Sequence, residues 1–173
     1  YTNANDELLS SFADCYQGLR TGDRERFIRE YWEVSTSNKA WSFIQNSVGN
    51  TCSYAGMHQV IFWENGEGTL HAYARANRDL LHDMHESGNR VWGRKGIAIN
   101  QVRNLKRTLY VGEKYEGNVN VIVPKDDKNL LPIWTYCQTQ SFFEAVRLLD
   151  KKLNVTNATL LNVPFDLEHW QRV

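Results

Sequence analysis

The sequence predicts an α+β fold, a mixed and mainly antiparallel sheet with flanking helices, on three observations. Apolar residues recur at helical spacing near both ends of the chain, three β-like runs crowd between Gly96 and Val123, and no internal repeat or heptad series interrupts them. Its 173 residues, 42% of them hydrophobic, suffice for one buried core, so a single domain over residues 1–173 is expected. Aromatic residues make up 12% of the chain, which argues against disorder and places Trp32, Trp41, Trp63 and Trp134 in that core.

In order along the chain, Leu8, Leu9, Phe12 and Tyr16 predict an amphipathic helix from Asp6 to Tyr16, stopped by Gly18. The GLRTGDRERF stretch turns sharply before an aromatic strand over Phe27 to Val34, and a second strand covers Trp41 to Gln45. A polar loop, QNSVGNTCSYAG, leads to a brief buried strand at Gln59 to Trp63 and then to the turn ENGEG. Leu80, Leu81 and Met84 predict a helix over Ala72 to Ser87, made polar by His71, His82 and His85. Strands at Gly96 to Val102, Thr108 to Val111 and Val119 to Val123 have the short connections of a meander. Ser141 with Glu144 forms a capping box for a helix over Ser141 to Lys152, and Ala158 to Val163 reads as a last strand ended by Pro164.

Formal net charge is zero, so any electrostatic case for nucleic acid must be local. From Arg90 to Lys125 there are eight basic residues against two acids, Glu113 and Glu116, whereas the segment through Glu33 holds seven acids and four basic residues. Cys15, Cys52 and Cys137 are odd in number and widely spaced, which suits a reducing compartment and gives no metal-site spacing. No apolar run approaches the roughly 20 residues of a membrane span, and no signal pattern opens the chain. A cytoplasmic protein without a membrane partner is expected. The start at Tyr1, followed at once by an acidic helical pattern, is expected of a piece cut from a longer chain.

Most motifs favour plain structural readings. His82 and His85 are spaced for a shared metal, but no Cys or third His lies near them in sequence, and Asp79, Asp83 and Glu86 fit a solvated helix face. Gly66, Gly68, Gly93 and Gly96 match neither the dinucleotide fingerprint nor the phosphate loop. No nucleophile elbow is present, so no catalytic residue is expected here. The segment WGRKGIAINQVRN differs: Arg94, Lys95, Asn100, Gln101, Arg103 and Asn104 are the residue types that meet base edges and phosphates, with Trp92 a candidate for stacking. The same types also decorate ordinary edge strands.

Four ordered blocks carry a family resemblance. They are YQGLRTGDRERFIREYWEV, GRKGIAINQVRNLKRTLYVGEKYEGNVNVIVPK, LPIWTYCQTQSFFEAVRLLDKKLNV and KLNVTNATLLNVPFDLEHW, and they cover most of the chain. Together they resemble the target recognition domain of large adenine-N6 DNA methyltransferases of type IIG restriction-modification and related phage-defence systems. In that family a separate catalytic domain binds S-adenosylmethionine and uses an Asn-Pro-Pro-Tyr type motif on a flipped adenine. No such tetrapeptide occurs around Pro124, Pro132 or Pro164, so this chain is expected to hold no cofactor, with S-adenosylmethionine and methyl transfer belonging to the parent enzyme.

The resemblance implies double-stranded DNA and the parent's catalytic methyltransferase domain as partners. It places Arg20, Thr21, Arg24 and Arg26 on backbone or the opened strand, Arg94, Lys95, Asn100, Gln101 and Arg103 in a groove, and Lys152, Asn154, Thr156, Asn157 and Thr159 on phosphates. For the last group, capping of a helix end is the competing role. The rival class is a protein-interaction module that docks the methyltransferase to a nuclease or other defence subunit, a reading that zero net charge favours.

Overall fold

Every side chain of the strand Val119–Pro124 is buried, so this strand has to be covered on both faces, and the rest of the chain is arranged around that requirement. The structure, a computed structural model, describes residues 7–35 and 37–173. Asp6, the first residue of the expected opening helix, lies outside the described residues. In chain order the elements begin with β1 (Glu7–Leu8), β2 (Ala13–Gln17), α1 (Arg24–Phe27), β3 (Ile28–Glu30), β4 (Trp41–Gln45), β5 (Gln59–Phe62), α2 (Thr69–Ala76) and α3 (Arg78–Leu81). They continue with β6 (Gly96–Asn100), β7 (Arg107–Tyr110), β8 (Lys114–Tyr115), β9 (Val119–Pro124), α4 (Leu130–Cys137), α5 (Gln140–Leu149), α6 (Asn157–Leu161), β10 (Pro164–Phe165) and α7 (Leu167–Arg172).

The fold is α+β, with mixed, mainly antiparallel sheets. Two four-stranded sheets carry it, in orders β2-β9-β6-β7 and β3-β5-β4-β8, and a short ribbon pairs β1 with β10. All pairs are antiparallel except β4 with β8. One face of the first sheet, through Cys15, Ile97, Ile99 and Ile122, packs on Ile133, Phe142, Val146 and Leu160 of the C-terminal helices. Its other face buries Ala98, Val121 and Val123 against Val91, Tyr110 and Tyr115. The second sheet has its own core of Ile28, Ile44 and Ile61 under Phe27, Trp63 and Leu70.

Several elements depart from expectation. The opening segment is not a helix: a 3-10 turn at Leu9–Ser11 leads into β2, whose Ala13 and Cys15 face the core. Pairing with β9, from Ala13 opposite Pro124 to Gln17 opposite Asn120, outweighs the local helical spacing. The expected strand Phe27 to Val34 shrinks to β3 between a helical turn and a 3-10 turn. The expected helix Ala72 to Ser87 breaks at Asn77 and at His82, whose φ is 48°, into α2, α3 and a 3-10 turn at Met84–Glu86. In place of a meander, β9 returns to the far side of β6. Helix α4 has no counterpart in the sequence reading. The cap of α5 is Thr139, which accepts from Phe142 N at 3.1 Å, while Glu144 instead accepts from Gln140. Residues 157–161 are helical rather than extended, and Pro164 opens β10 instead of ending a strand. Trp32 is 64% exposed, against the core position expected of it.

Burial pushes the Cys15 and Cys137 thiols up, Cys137 to about 12, so both behave as core apolar groups and not as nucleophiles. Among the described residues no helix is long and apolar enough to cross a membrane. Truncating the fully buried Ile122 to Ala is expected to cost about 2–5 kcal/mol in urea unfolding, whereas Leu148→Ala, on the exposed face of α5, stays within about 0.5 kcal/mol.

Candidate nucleic-acid interface

Because β2 and β6 both run antiparallel to β9, their C-terminal ends lie beside the start of β9. Four connections therefore meet at one rim of the first sheet: residues 18–23 after β2, 101–106 between β6 and β7, 116–118 before β9, and 150–156 between α5 and α6. Gly18 permits the approach, since a Cβ there would collide with the carbonyls of Tyr115 and Glu116.

Gln101 ties the rim together. Its Nε2 donates to Gly117 O at 3.0 Å and to Asn120 Oδ1 at 2.9 Å, and Gly117 O also accepts from Gln17 Nε2 at 2.6 Å. The Gln101 backbone donates to Asn118 O and accepts from Val155 N, at 3.0 and 2.9 Å. Asn120 Nδ2 completes the chain by donating to Val155 O at 3.4 Å. Gln101, 7% exposed, thus joins the connections 101–106, 116–118 and 150–156, and the end of β2 reaches them through Gly117.

The tip of the β6–β7 hairpin is shaped by left-handed residues, Arg103 at φ 55° and Leu105 at φ 49°, a conformation that costs on the order of 1 kcal/mol or more per residue. Leu105 is fully buried and anchors the tip, leaving Arg103 and Asn104 exposed. Arg147 of α5 then bridges the two neighbouring loops: one guanidinium nitrogen donates to Lys152 O at 2.6 Å and the other to Arg103 O. Exposed Arg103, Asn104, Lys151, Lys152 and Asn154 consequently share one edge, with Val102 and Asn154 paired across it. The nearest acids are engaged, Asp150 with Lys152 N at 2.9 Å and Glu116 with the Arg24 guanidinium.

At the β2 side of the rim, Arg20 is exposed and Thr21 is buried in the wall of a cleft of about 540 Å³, which Arg24, Leu81, Met84 and exposed Asn118 also line. The Arg20 backbone donates to Met84 O at 2.9 Å. Such a rim presents cations and free amides on hydrogen-bonded loops, the chemistry that holds phosphates and base edges.

The structure does not bring every expected contact to this place. Arg94 and Lys95 lie at the opposite end of β6, about 13 Å away along a strand, and Arg94 donates to Pro124 O at 2.6 Å. Asn100 uses both ends of its amide on Val48, at 2.9 and 2.8 Å, which pins the 46–56 loop and fixes the side chain in a structural role. Gln101 is likewise consumed internally. Trp92 is no stacking platform: it joins the second-sheet core to the other face of the first sheet, meeting Trp63 edge-to-face at 5.3 Å. Lys114 lies over both indoles, 4.7 Å from Trp63 and 5.2 Å from Trp92, and burial lowers its pKa. Arg26 packs over Phe27 and Tyr73, at 5.0 and 5.4 Å, on the second sheet. Thr156 caps α6, accepting from Thr159 N at 3.3 Å, and Thr159 and Asn157 bond Asp150 and Cys15. Their side chains close the loop rather than project from it. Arg147, Lys151 and Asn118 were missed, since an amphipathic helix and two loops gave no signal of their convergence.

The chain matches no model of a known protein family and no characterised protein.

Gln101→Ala is expected to cost about 1–3 kcal/mol in urea unfolding, because Gly117 O loses a donor and Asn120 Oδ1 is left buried without one. Asn104→Ala, exposed at the same hairpin, should stay within about 0.5 kcal/mol.

Proposed function

We propose that this chain is a target recognition domain that reads double-stranded DNA for an S-adenosylmethionine-dependent adenine-N6 DNA methyltransferase, whose catalytic part lies outside these residues. The observation that carries the reading is the convergence of Arg20, Asn118, Arg103, Asn104, Lys152 and Asn154, from segments far apart in sequence, on one rim. A molecule of zero net charge can bind a polyanion when its free cations share a face, and at this rim the Glu116 carboxylate is already paired with Arg24. The β6–β7 loop, at the end of a four-stranded sheet, offers exposed Arg103 and Asn104, residue types that meet guanine and adenine edges in the major groove. Lys151 and Lys152, exposed in the loop after α5, would supply charge to the flanking backbone. Division of labour follows: a base must leave the duplex before its amine can be methylated, so a second domain has to grip the DNA and choose the site.

Anisotropy titration of the chain against a panel of duplexes at several salt concentrations tests the reading. Lys152→Ala is expected to weaken all duplexes alike and to lower the salt slope by about one, while Arg103→Ala costs about 1–3 kcal/mol and relaxes preference at one position. Arg94→Ala with Lys95→Ala, at the far end of β6, should leave the slope in place. Equal effects from both ends, or no duplex affinity at low salt, would overturn it.

A second reading, docking to another protein subunit, has one observation in its favour: Leu148, Leu149 and Leu153 are 82%, 53% and 66% exposed beside the rim. Duplex binding that survives Leu149→Asp and Leu153→Asp unchanged removes these leucines from the DNA contact and leaves them for a partner.

A further inference from the structure

On the far side of the cleft wall, α2 and the 3-10 turn at Met84–Glu86 bring two imidazoles and a carboxylate together. His71 is 3% exposed and His85 7%, and their rings meet edge-to-face at 4.7 Å, with Trp63 closing the other side of His71 at 4.8 Å. Both nitrogens of His71 and Nδ1 of His85 are buried without a hydrogen-bond partner. Orphaned polar atoms of this kind each cost about 1–3 kcal/mol, and one ion that takes a nitrogen from each ring would satisfy up to two of the three. Glu86 Oε1 lies 3.5 Å from His71 Nε2 and 4.0 Å from His85 Nε2, close to both rings, yet no hydrogen bond satisfies His71.

We propose that His71, His85 and Glu86 form a binding site for a first-row divalent transition-metal ion, zinc above all. One ligand atom from each lies within 4.8 Å of the others, so side-chain movement of about an ångström brings all three to the roughly 2.0–2.2 Å of zinc–nitrogen and zinc–oxygen bonds. Two neutral imidazoles and one carboxylate are the borderline donors that zinc accepts, whereas calcium and magnesium demand oxygen. The fourth position opens into a cavity of about 260 Å³ lined also by His82, Asp83, Arg75 and Arg78, where water completes the set. Arg78 faces Asp83 at 3.5 Å, so Arg75 is the nearby cation that weighs against the ion, and the Glu86 carboxylate offsets it.

The site has a structural consequence. Between α2 and Gly88 the chain is a series of short turns with exposed Leu80, and a metal would staple that segment to α2. Because Met84 O accepts from Arg20 N, the staple would also steady the wall on which Arg20 rests. The helical spacing of His82 and His85 pointed to the wrong partner: His85 pairs with His71, fourteen positions away, because the chain reverses at His82.

The test uses metal alone and does not depend on DNA binding. Chelator-treated protein is titrated with Zn2+ and, as a spectroscopic probe, Co2+, and imidazole NMR signals and thermal unfolding are followed. One equivalent per chain is expected, with perturbation of the His71 and His85 signals and, at a hundredfold excess over Kd, a rise of about 5–10 °C in Tm. Glu86→Gln and His71→Gln should weaken binding about tenfold or more; if His71→Gln does not fold, the half-exposed Glu86→Gln decides alone. No Zn2+ uptake, or uptake that Glu86→Gln leaves unchanged, overturns the site and reduces the cluster to a histidine-carboxylate contact.

Discussion

The candidate interface depends on one buried amide. Gln101 leaves the end of β6, donates to Gly117 and Asn120, and exchanges backbone hydrogen bonds with Asn118 and Val155. Without it the loops at this rim would keep only the Arg147 bridge and their backbone pairings, and more of their ordering would fall on each loop alone. With it, the hairpin tip, the turn before β9 and the loop after α5 share one set of bonds, and the side chains they carry keep fixed spacings. A recognition surface needs that rigidity, because a misplaced guanidinium contributes charge but no discrimination between bases.

The lock is possible because of β9. A strand buried on both faces has to sit between other strands and be roofed by separate apolar layers, and the two amides of Gln101 and Asn120 are sheltered where those layers end. Buried hydrogen bonds of this kind are retained because an unpaired amide in the same place is costly. The second sheet joins through Tyr115 and Trp92, and Leu19 bridges to Glu116, so the GLRTGD loop is carried to the rim by the same scaffold.

What was legible in the sequence follows from how local each signal is. Strands β4, β5 and β6 announced themselves as short runs of apolar, β-branched or aromatic residues between turn signals, and helix α5 by apolar residues at helical spacing. Strand β2 did not, since its apolar residues satisfy a helical spacing equally well and only pairing with β9 decides between them. Residues 157–161 misled in the opposite sense: an apolar run that suits a strand becomes a helix once Thr156 caps it. The same limit applied to the interface. Residue type marked Asn100, Gln101, Arg103 and Asn104 alike, but type cannot say that the first two amides are spent on Val48 and Gly117 while the last two residues stay exposed. Arg147 was invisible because its role is to donate to two loop carbonyls from an otherwise ordinary helix.

The most direct measurement is backbone-amide NMR of the chain during titration with its selected duplex. Perturbations are expected to cluster at Arg20, Asn118, Arg103, Asn104 and residues 151–154, with the signals around Arg94 and Lys95 unmoved. Perturbations centred on Arg94, Lys95 and Trp92, or spread evenly over both ends of the first sheet, would contradict a contact at this rim.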